Sequence, residues 1–320
     1  MARSHVGAKL NNSLAFSIRL KKDFRRNLSA YFLVLPVLAF YLLFAYKPIG
    51  GVIIAFKDFK PLSGIWNSPW ASQYGFKHFL SFFNSIYFNR TLRNTIVISI
   101  TSIIFGFPLP IILALSINEV KNRRFKRVVQ TISYMPYFIS LVVICSMVTL
   151  FTSEKAFIVA IMKHFGYEGM GNLLNSERAF LPIYVVSGIW QNTGWNCIIY
   201  LAALSSIDMD LYEAARIDGA DRWKQTWHVT LPGITPTIVL LLILAVGGIM
   251  NVGYEKVILL YNDFNRDAAD VISSYVYRRG LVYGDWSFAT AVGLFNAVIN
   301  YSLVLVANGI SRSVTGSGLW

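Results

Sequence analysis

"YEAARIDGADRWKQTWHVTLP", residues 212–232, is charged and helix-forming, yet it lies between two long apolar runs. The chain around it is 55% hydrophobic and only 14% charged, where a soluble domain carries roughly 25% charged residues. That composition makes it an integral membrane protein, with this stretch outside the hydrocarbon. The stretch has a pattern no simple loop needs. Asp208 or Asp210 can cap a helix start, with Glu213 a capping-box partner three residues after Asp210. Residues 211–218 then read as a short helix, whose surface Ala214 and Ala215 keep low enough for close approach. Gly219 breaks it, as glycine does where a turn demands positive φ. Asp221 can cap a second short helix through His228, and Pro232 opens the next apolar run with Gly233 behind it. Leu211, Ile217, Trp223, Trp227 and Val229 are interleaved with the charges. The prediction is a helix–turn–helix lying on one membrane face.

Across the chain, six apolar runs approach or exceed the roughly 20 residues that cross about 30 Å of hydrocarbon. They fall near 29–49, 91–117, 128–151, 180–204, 233–253 and 287–310. Pro36, Pro108, Pro110, Pro136, Gly247 and Gly248 lie within them. Neighbouring helices re-satisfy the backbone groups such residues free, so bent helices in a bundle are expected. Orientation follows the basic residues. The two sides share Lys and Arg almost evenly, 16 against 13, but the density differs. Lys121, Arg123, Arg124, Lys126 and Arg127 crowd one short loop, and Arg3, Lys9, Arg19, Lys21, Lys22, Arg25 and Arg26 fill the first tail against one acid, Asp23. Both termini and residues 212–232 are therefore expected in the cytoplasm. The tail is a poor secretory leader, because no small-residue cleavage site follows its apolar stretch, and the first run reads as a retained anchor.

The net charge of +13 is explained by this topology, and no nucleic-acid module accompanies it. Cys145 and Cys197 lie inside apolar runs and read as small hydrophobes, without a disulfide or a metal. His5, His78, His164 and His228 have no ligand spacing. The opposite side carries residues 57–90, rich in aromatics: Trp66, Trp70, Tyr74, Phe76, Phe79, Phe82, Phe83 and Tyr87. An amphipathic layer on the outer leaflet is the expectation for it, ahead of a docking surface.

Glu213-Ala214-Ala215, three residues, Gly219, nine residues, Val229, one residue, Leu231-Pro232 resembles the EAA motif of ABC importer permeases. That pattern is EAA, three residues, G, nine residues, I, one residue, LP, and Val229 for Ile is the one departure. The resemblance runs from about residue 30 to the C-terminus. "RNTIVISI" (93–100), "NRRFKRVVQTISYMPYFIS" (122–140) and "YLAALSSIDMDLYEAARIDGA" (200–220) look like carbohydrate importer permeases. "YEKVILLYN" (254–262) is similar to the LplB-like subfamily associated with polysaccharides and complex oligosaccharides.

The resemblance implies an all-α integral membrane protein with the type I importer permease fold and six transmembrane helices. It implies a basic cytoplasmic tail (1–28), a permease domain (29–310) with its coupling loop at 206–232, and a short cytoplasmic tail (311–320). The motif helix would insert in a groove of a cytoplasmic ATPase. Glu213 would contact the ATPase or fix the helix, Ala214 and Ala215 would permit the close fit, Gly219 would make the turn, and Pro232 would stiffen the link to the fifth run; Asp218 and Leu231 join this coupling set. The sequence has no G-x-x-x-x-G-K-[ST] phosphate loop. ATP and Mg would thus be bound by a partner ATPase, and this chain would hold no cofactor. The implied partners are a second homologous permease, two ATPase chains, an extracytoplasmic solute-binding protein and membrane lipid, in a bacterial cytoplasmic membrane.

Polar side chains at membrane depth are costly and face the bundle interior. In "GIWQNTGWNCIIY" (188–200), Asn192, Trp195 and Asn196 fall at i, i+3 and i+4 and share a face. Trp190, Gln191 and Tyr200 are close by. Amides with aromatic faces suit a sugar, which has hydroxyl edges and an apolar C–H face; amides that bond across helices are the alternative. Asn251, Tyr254, Glu255, Asn296 and Asn300 are further candidates, the last two better suited to holding helices together. A membrane-embedded enzyme acting on glycans or lipids is the competing class. It would use Asp263, Asp267 and Asp270 of one outer loop, whose spacing has no acid–base or ligand logic. A channel or secondary carrier would need ionisable residues or internal repeats in the spans.

Overall fold

A computed structural model describes residues 24, 26–164, 171–316, 318 and 319. The described residues are built from helices, with one isolated antiparallel bridge, Lys57 to Trp70. Two units are compact in themselves. The first comprises residues 1–54 and 59–68, the second residues 55–58 and 69–320.

The first unit is dominated by helix α1, Leu28–Phe56, 29 residues long. Its opening, LSAYFLVLPVLAF, has no charge and no amphipathic face, as a lipid-spanning helix requires. Pro36 lies inside it without ending it. Beyond it, Ser68 Oγ donates to the Gly64 carbonyl (2.6 Å) and accepts from Lys60 N–H (3.0 Å), closing a small loop.

The second unit contains α2 (Lys77–Phe83), α3 (Phe88–Glu119), α4 (Arg123–Phe138), α5 (Leu141–Phe151) and α6 (Phe157–His164). After residues 165–170 come α7 (Glu177–Ser205), α8 (Met209–Ile217), α9 (Arg222–Gly247), α10 (Tyr254–Leu260), α11 (Ile272–Val276) and α12 (Trp286–Thr315). Among the described residues four helices are both long and apolar enough to cross a membrane: α1, α3, α9 and α12 (through Val314). A fifth is obtained if α4 and α5 are one broken span.

Two expected runs differ from this. The run at 128–151 is not one straight helix: α4 and α5 meet at 97°, around Ile139 and Ser140. Pro136 in the tight turn Met135–Phe138 and the Ser140 cap on Val143 N–H (3.4 Å) end one helix and begin the next. The run at 180–204 forms α7, whose 29 residues extend about 43 Å. It has the length but not the apolarity, because Gln191, Asn192 and Asn196 interrupt it.

Three apolar clusters hold the second unit. Ile98, Cys145, Phe180, Val257 and Leu260 join α3, α5, α7 and α10. Phe82, Ile272, Phe288 and Val292 join α2, α11 and α12. Ala114, Ile117, Cys197, Tyr200, Leu204 and Ile234 join α3, α7 and α9. Cys145 and Cys197 are both free and buried. Phe82 therefore belongs to the packed interior, at 1% exposure, although the aromatic segment was expected at the outer interface. Trp70 stays exposed, with the Lys57 ammonium 5.3 Å from its ring. The same segment is pinned by Asp58, which accepts from Lys77 Nζ at 2.8 Å and lies 3.1 Å from His78 Nε2. The Lys77 hydrogen bond holds the Asp58 carboxyl below its ordinary pKa.

Candidate functional site

Helix α8 carries the front half of the coupling segment. Asp208, not Asp210, caps it: its carboxylate accepts from Asp210 N–H at 3.0 Å. Asp210 instead supplies the acid of the first turn, and Glu213 is not part of a capping box. At the other end Ala220 N–H reaches the Ala215 carbonyl (2.8 Å) and Gly219 N–H the Arg216 carbonyl (3.0 Å). This is a Schellman cap with Asp218 as C-cap, and it requires the left-handed φ of +76° found at Gly219. Glu213, Ala214, Asp218 and Gly219 are exposed together, Ala215 is half-buried, and Leu211 and Ile217 project beside them. The helix thus presents a low alanine surface with apolar flanks, the surface for close approach that the motif resemblance implies.

The back half departs from the expected second short helix. Asp221 does cap, accepting from Lys224 N–H at 2.8 Å, but the helix does not stop near His228. It continues through wide turns at Thr226–Thr230 into one 26-residue helix, α9. Pro232 lacks an N–H and its ring crowds the carbonyl four residues back, and the wide turns just before it absorb that conflict without a break. Pro232 is exposed within this helix, while Leu231 packs against the cluster holding Ile234. The back half of the segment and the apolar run are thus one continuous helix, Arg222–Gly247.

Three contacts that the sequence did not disclose tie the segment down. Tyr212 OH and Thr230 Oγ1 are hydrogen-bonded at 3.0 Å, joining α8 to α9. Gln225 Nε2 donates to the Ala220 carbonyl at 2.8 Å. Arg222 lies 3.6 Å from Glu119 at the end of α3. Behind α8 a cavity of about 780 Å³ is lined by polar groups including Asn118, Lys121, Arg216 and Gln225. Tyr212 and Thr230 lie inside the quoted stretch, 18 residues apart, and only the turn at Gly219 brings them together. Removing the bond with Tyr212→Phe forfeits about 1 kcal/mol of fixation between the helices. By the resemblance to importer permeases, the expected result is a loosened ratio of substrate moved per ATP hydrolysed, with unchanged amounts of chain in the membrane. Parallel uptake and ATPase measurements on reconstituted protein would read it.

The polar residues of α7 do not act as one group. Tyr184, Gly188, Asn192 and Trp195 follow one face at steps of four, four and three. Asn192 Nδ2 donates to the Gly188 carbonyl of its own helix at 2.8 Å. Trp195 stacks on Tyr137, centroids 4.5 Å apart and planes 2° off parallel, with Phe138 edge-on at 5.6 Å. Tyr137 and Phe138, at the α4–α5 elbow, were not among the expected site residues, although "MPYFIS" places them beside Pro136. Asn196 is exposed and Gln191 half-buried. Trp190 is five positions before Trp195 and lines two cavities: an apolar one of about 500 Å³ with Ile144, Met147 and Phe151, and one of about 530 Å³ with Pro136, Thr193 and Gly194. Tyr200 is 2% exposed, packed into the α3–α7–α9 cluster.

Farther along, Asn300 holds a loop. Its Oδ1 accepts from Met250 N–H (3.1 Å) and its Nδ2 donates to Asn251 Oδ1 (3.0 Å), pinning the turn between α9 and α10. Asn296 Oδ1 is buried with no hydrogen-bond donor. Tyr254 stacks on Tyr277 at 4.8 Å, and Glu255 is exposed. Asp270 accepts from Arg278 (2.6 Å) and lies 3.6 Å from Arg90; Arg90 also pairs with Asp267, and Arg266 with Asp263 at 3.1 Å. These three acids are counter-ions. No group of three His, Cys, Asp or Glu among the described residues could hold a metal ion.

Known proteins resemble this architecture throughout. Residues 106–316 match the family model described as binding-protein-dependent transport system inner membrane component. Protein LplB of Bacillus subtilis (strain 168) is 41% identical over 297 residues, covering 92% of each chain. The polygalacturonan/rhamnogalacturonan transport system permease protein YteP of the same organism is 42% identical over 291 residues, 91% of this chain and 89% of that one. Among solved structures, a chain of a bacterial alginate ABC transporter in complex with an alginate pentasaccharide-bound periplasmic protein superposes with TM-score 0.83 at 41% identity, covering 94% of this chain and 100% of that one. The protein is a membrane component of a transporter and not an enzyme, and it belongs to the family of binding-protein-dependent transport system inner membrane components.

Proposed function

We propose that this chain is one transmembrane half of an ATP-driven importer that brings an oligo- or polysaccharide across a bacterial cytoplasmic membrane. The observation that carries the reading is α8: an exposed, doubly capped helix turned by a positive-φ glycine and continuous, through α9, with the membrane interior. Such a lever transmits motion; by itself it performs no chemistry. The carbohydrate is supported by the aromatic and amide groups of α7 and by the substrates in the relatives' names.

On this reading residues 29–310 form the permease domain, and α7 and the α4–α5 pair complete six spans. The basic tail 1–28, the segment 206–232 and the C-terminal tail 311–320 face the cytoplasm. A second, homologous permease supplies the other half of the pathway. Two cytoplasmic ATPases bind ATP and Mg and receive Glu213, Ala214, Ala215, Asp218 and Gly219 in a groove, and an extracytoplasmic solute-binding protein delivers the sugar. Closure of the ATPases draws the two α8 helices together and turns the pathway outward.

Gentle-detergent purification from the native membrane with mass spectrometry of co-purifying chains tests the assembly. A second permease chain with an ATPase is the expected result; reproducible recovery of this chain alone, folded, would contradict it. Trp195→Ala tests the pathway. Loss of the aromatic face should lower substrate-stimulated transport about tenfold, within the 1–3 kcal/mol carried by a stacked ring, with assembly intact. Loss of assembly instead would make the Tyr137–Trp195 stack a helix fastener.

A further inference from the structure

Lys256, in α10, is 8% exposed. Its neighbours Val257 and Leu260 are fully packed with Cys145 and Phe180. Its Nζ donates to the Tyr184 carbonyl at 2.8 Å and lies 4.5 Å from the centre of the Tyr184 ring. None of the ion pairs among the described residues includes it. Arg90 and Arg278, also drawn into the protein, are answered by Asp267 and Asp270. Lys256 is instead a buried cation with no carboxylate partner among the described residues. A carbonyl and a ring face offset only part of the desolvation of an ammonium, and a methionine would pack as well at lower cost. An ionisable residue at such a place calls for a partner that the described residues do not supply.

The surroundings say what that partner is. A Cβ added at Gly188 would lie 3.1 Å from Nζ, so α7 leaves room for the ammonium there. Tyr184 and Gly188 open the face that continues through Asn192 to Trp195 and its stacked Tyr137. A cavity of about 220 Å³ borders Tyr184, with Ser99, Ser102 and Asn251 on its walls. Hydroxyls, an amide, an aromatic face and one unbalanced cation are the groups a sugar acid uses.

We infer that Lys256 is a specificity-determining residue that recognises the carboxylate of an acidic sugar moving along this face of α7. The inference rests on the carbohydrate reading above. In the present state the ammonium is parked on the Tyr184 carbonyl. Its four-carbon stem lets it exchange that neutral acceptor for a carboxylate, a shorter and stronger charge-assisted bond.

The test uses the complete complex in proteoliposomes, supplied with oligosaccharides from partial hydrolysis of pectin and alginate and with the same mixtures after reduction of their carboxyl groups. The wild type should import the acidic oligomers in preference to the reduced ones. K256Q should lose about ten- to a hundredfold of acidic uptake, the range of a hydrogen bond to a charged group, and keep uptake of neutral oligomers. K256R should retain the preference for acid. A wild type that prefers neutral oligomers, or a K256Q that loses both classes equally, overturns the inference and leaves the carbohydrate reading standing. Failure of K256Q and of K256M alike to assemble also overturns it, because the lysine would then be a structural tether. ATP hydrolysis with no uptake from any mixture would overturn the carbohydrate reading itself.

Discussion

Gly219→Val is expected to leave the chain in the membrane at wild-type amounts while cutting ATP-driven uptake about 5- to 30-fold. The range is what 1–2 kcal/mol does to a population ratio, and 1–2 kcal/mol is about what a non-glycine residue loses in the left-handed region. Gly219 holds φ +76° at the end of α8, where it closes the Schellman cap. A Cβ there meets nothing within 4 Å, so crowding inside the chain is not the reason for the glycine. The reason is conformational, and β-branched valine suffers most. Relief of the strain swings α8 and with it Glu213 and Ala214. Gly219→Asn supplies the control, because asparagine tolerates this conformation and should retain most of the uptake. Normal transport by the valine variant would remove the turn from the mechanism. Equal loss with asparagine would place the cause in a partner surface that accepts no side chain at all.

Gly194→Ala should have the larger effect on the molecule itself. A Cβ at Gly194 falls 1.9 Å from the Ser133 carbonyl oxygen and 2.4 Å from its carbon. These are backbone atoms of α4, so no rotamer change can clear them. Small residues let membrane helices approach to this distance, and one methyl forces them apart. The cost lies at or beyond the upper end of ordinary overpacking, about 3 kcal/mol. Separation of α4 from α7 would also pull Tyr137 off Trp195, one residue along. Aggregation or early thermal unfolding of the purified variant is the expected result, read by size-exclusion chromatography and a thermal ramp. A G194A protein as stable as the wild type would refute the close approach.

These variants mark the boundary between what was legible in the chain and what was not. Helix periodicity and caps are local, so the coupling helix, its glycine turn and the Asp221 cap could be read from residues 208–232 alone. So could the length of four spans, since apolarity over about 20 residues is a sum along the chain. The choice between Asp208 and Asp210 as cap was left open by the sequence, and the end expected near His228 came too early. Helix ends are decided by which competing hydrogen bond closes, and Thr226–Thr230 closed wide instead of stopping.

The α7 residues show the harder limit. Sequence places Trp190, Asn192, Trp195, Asn196 and Tyr200 within three turns. The structure sends Trp190 to the walls of two cavities, Tyr200 into the core and Trp195 onto Tyr137, because each face of a helix meets a different neighbour. Asn300 was expected to hold helices together and does pin the 248–253 turn, but its partner atoms lie 49 and 50 residues away. Residue order sufficed for an all-helical membrane chain, the place of the segment 208–232 and the family pattern it carries, all properties of near neighbours along the chain. Packing in three dimensions set the 97° break between α4 and α5, the backbone contact at Gly194 and the burial of Lys256 against the Tyr184 carbonyl. Each of these depends on distances between residues far apart in sequence, which packing sets and periodicity does not record.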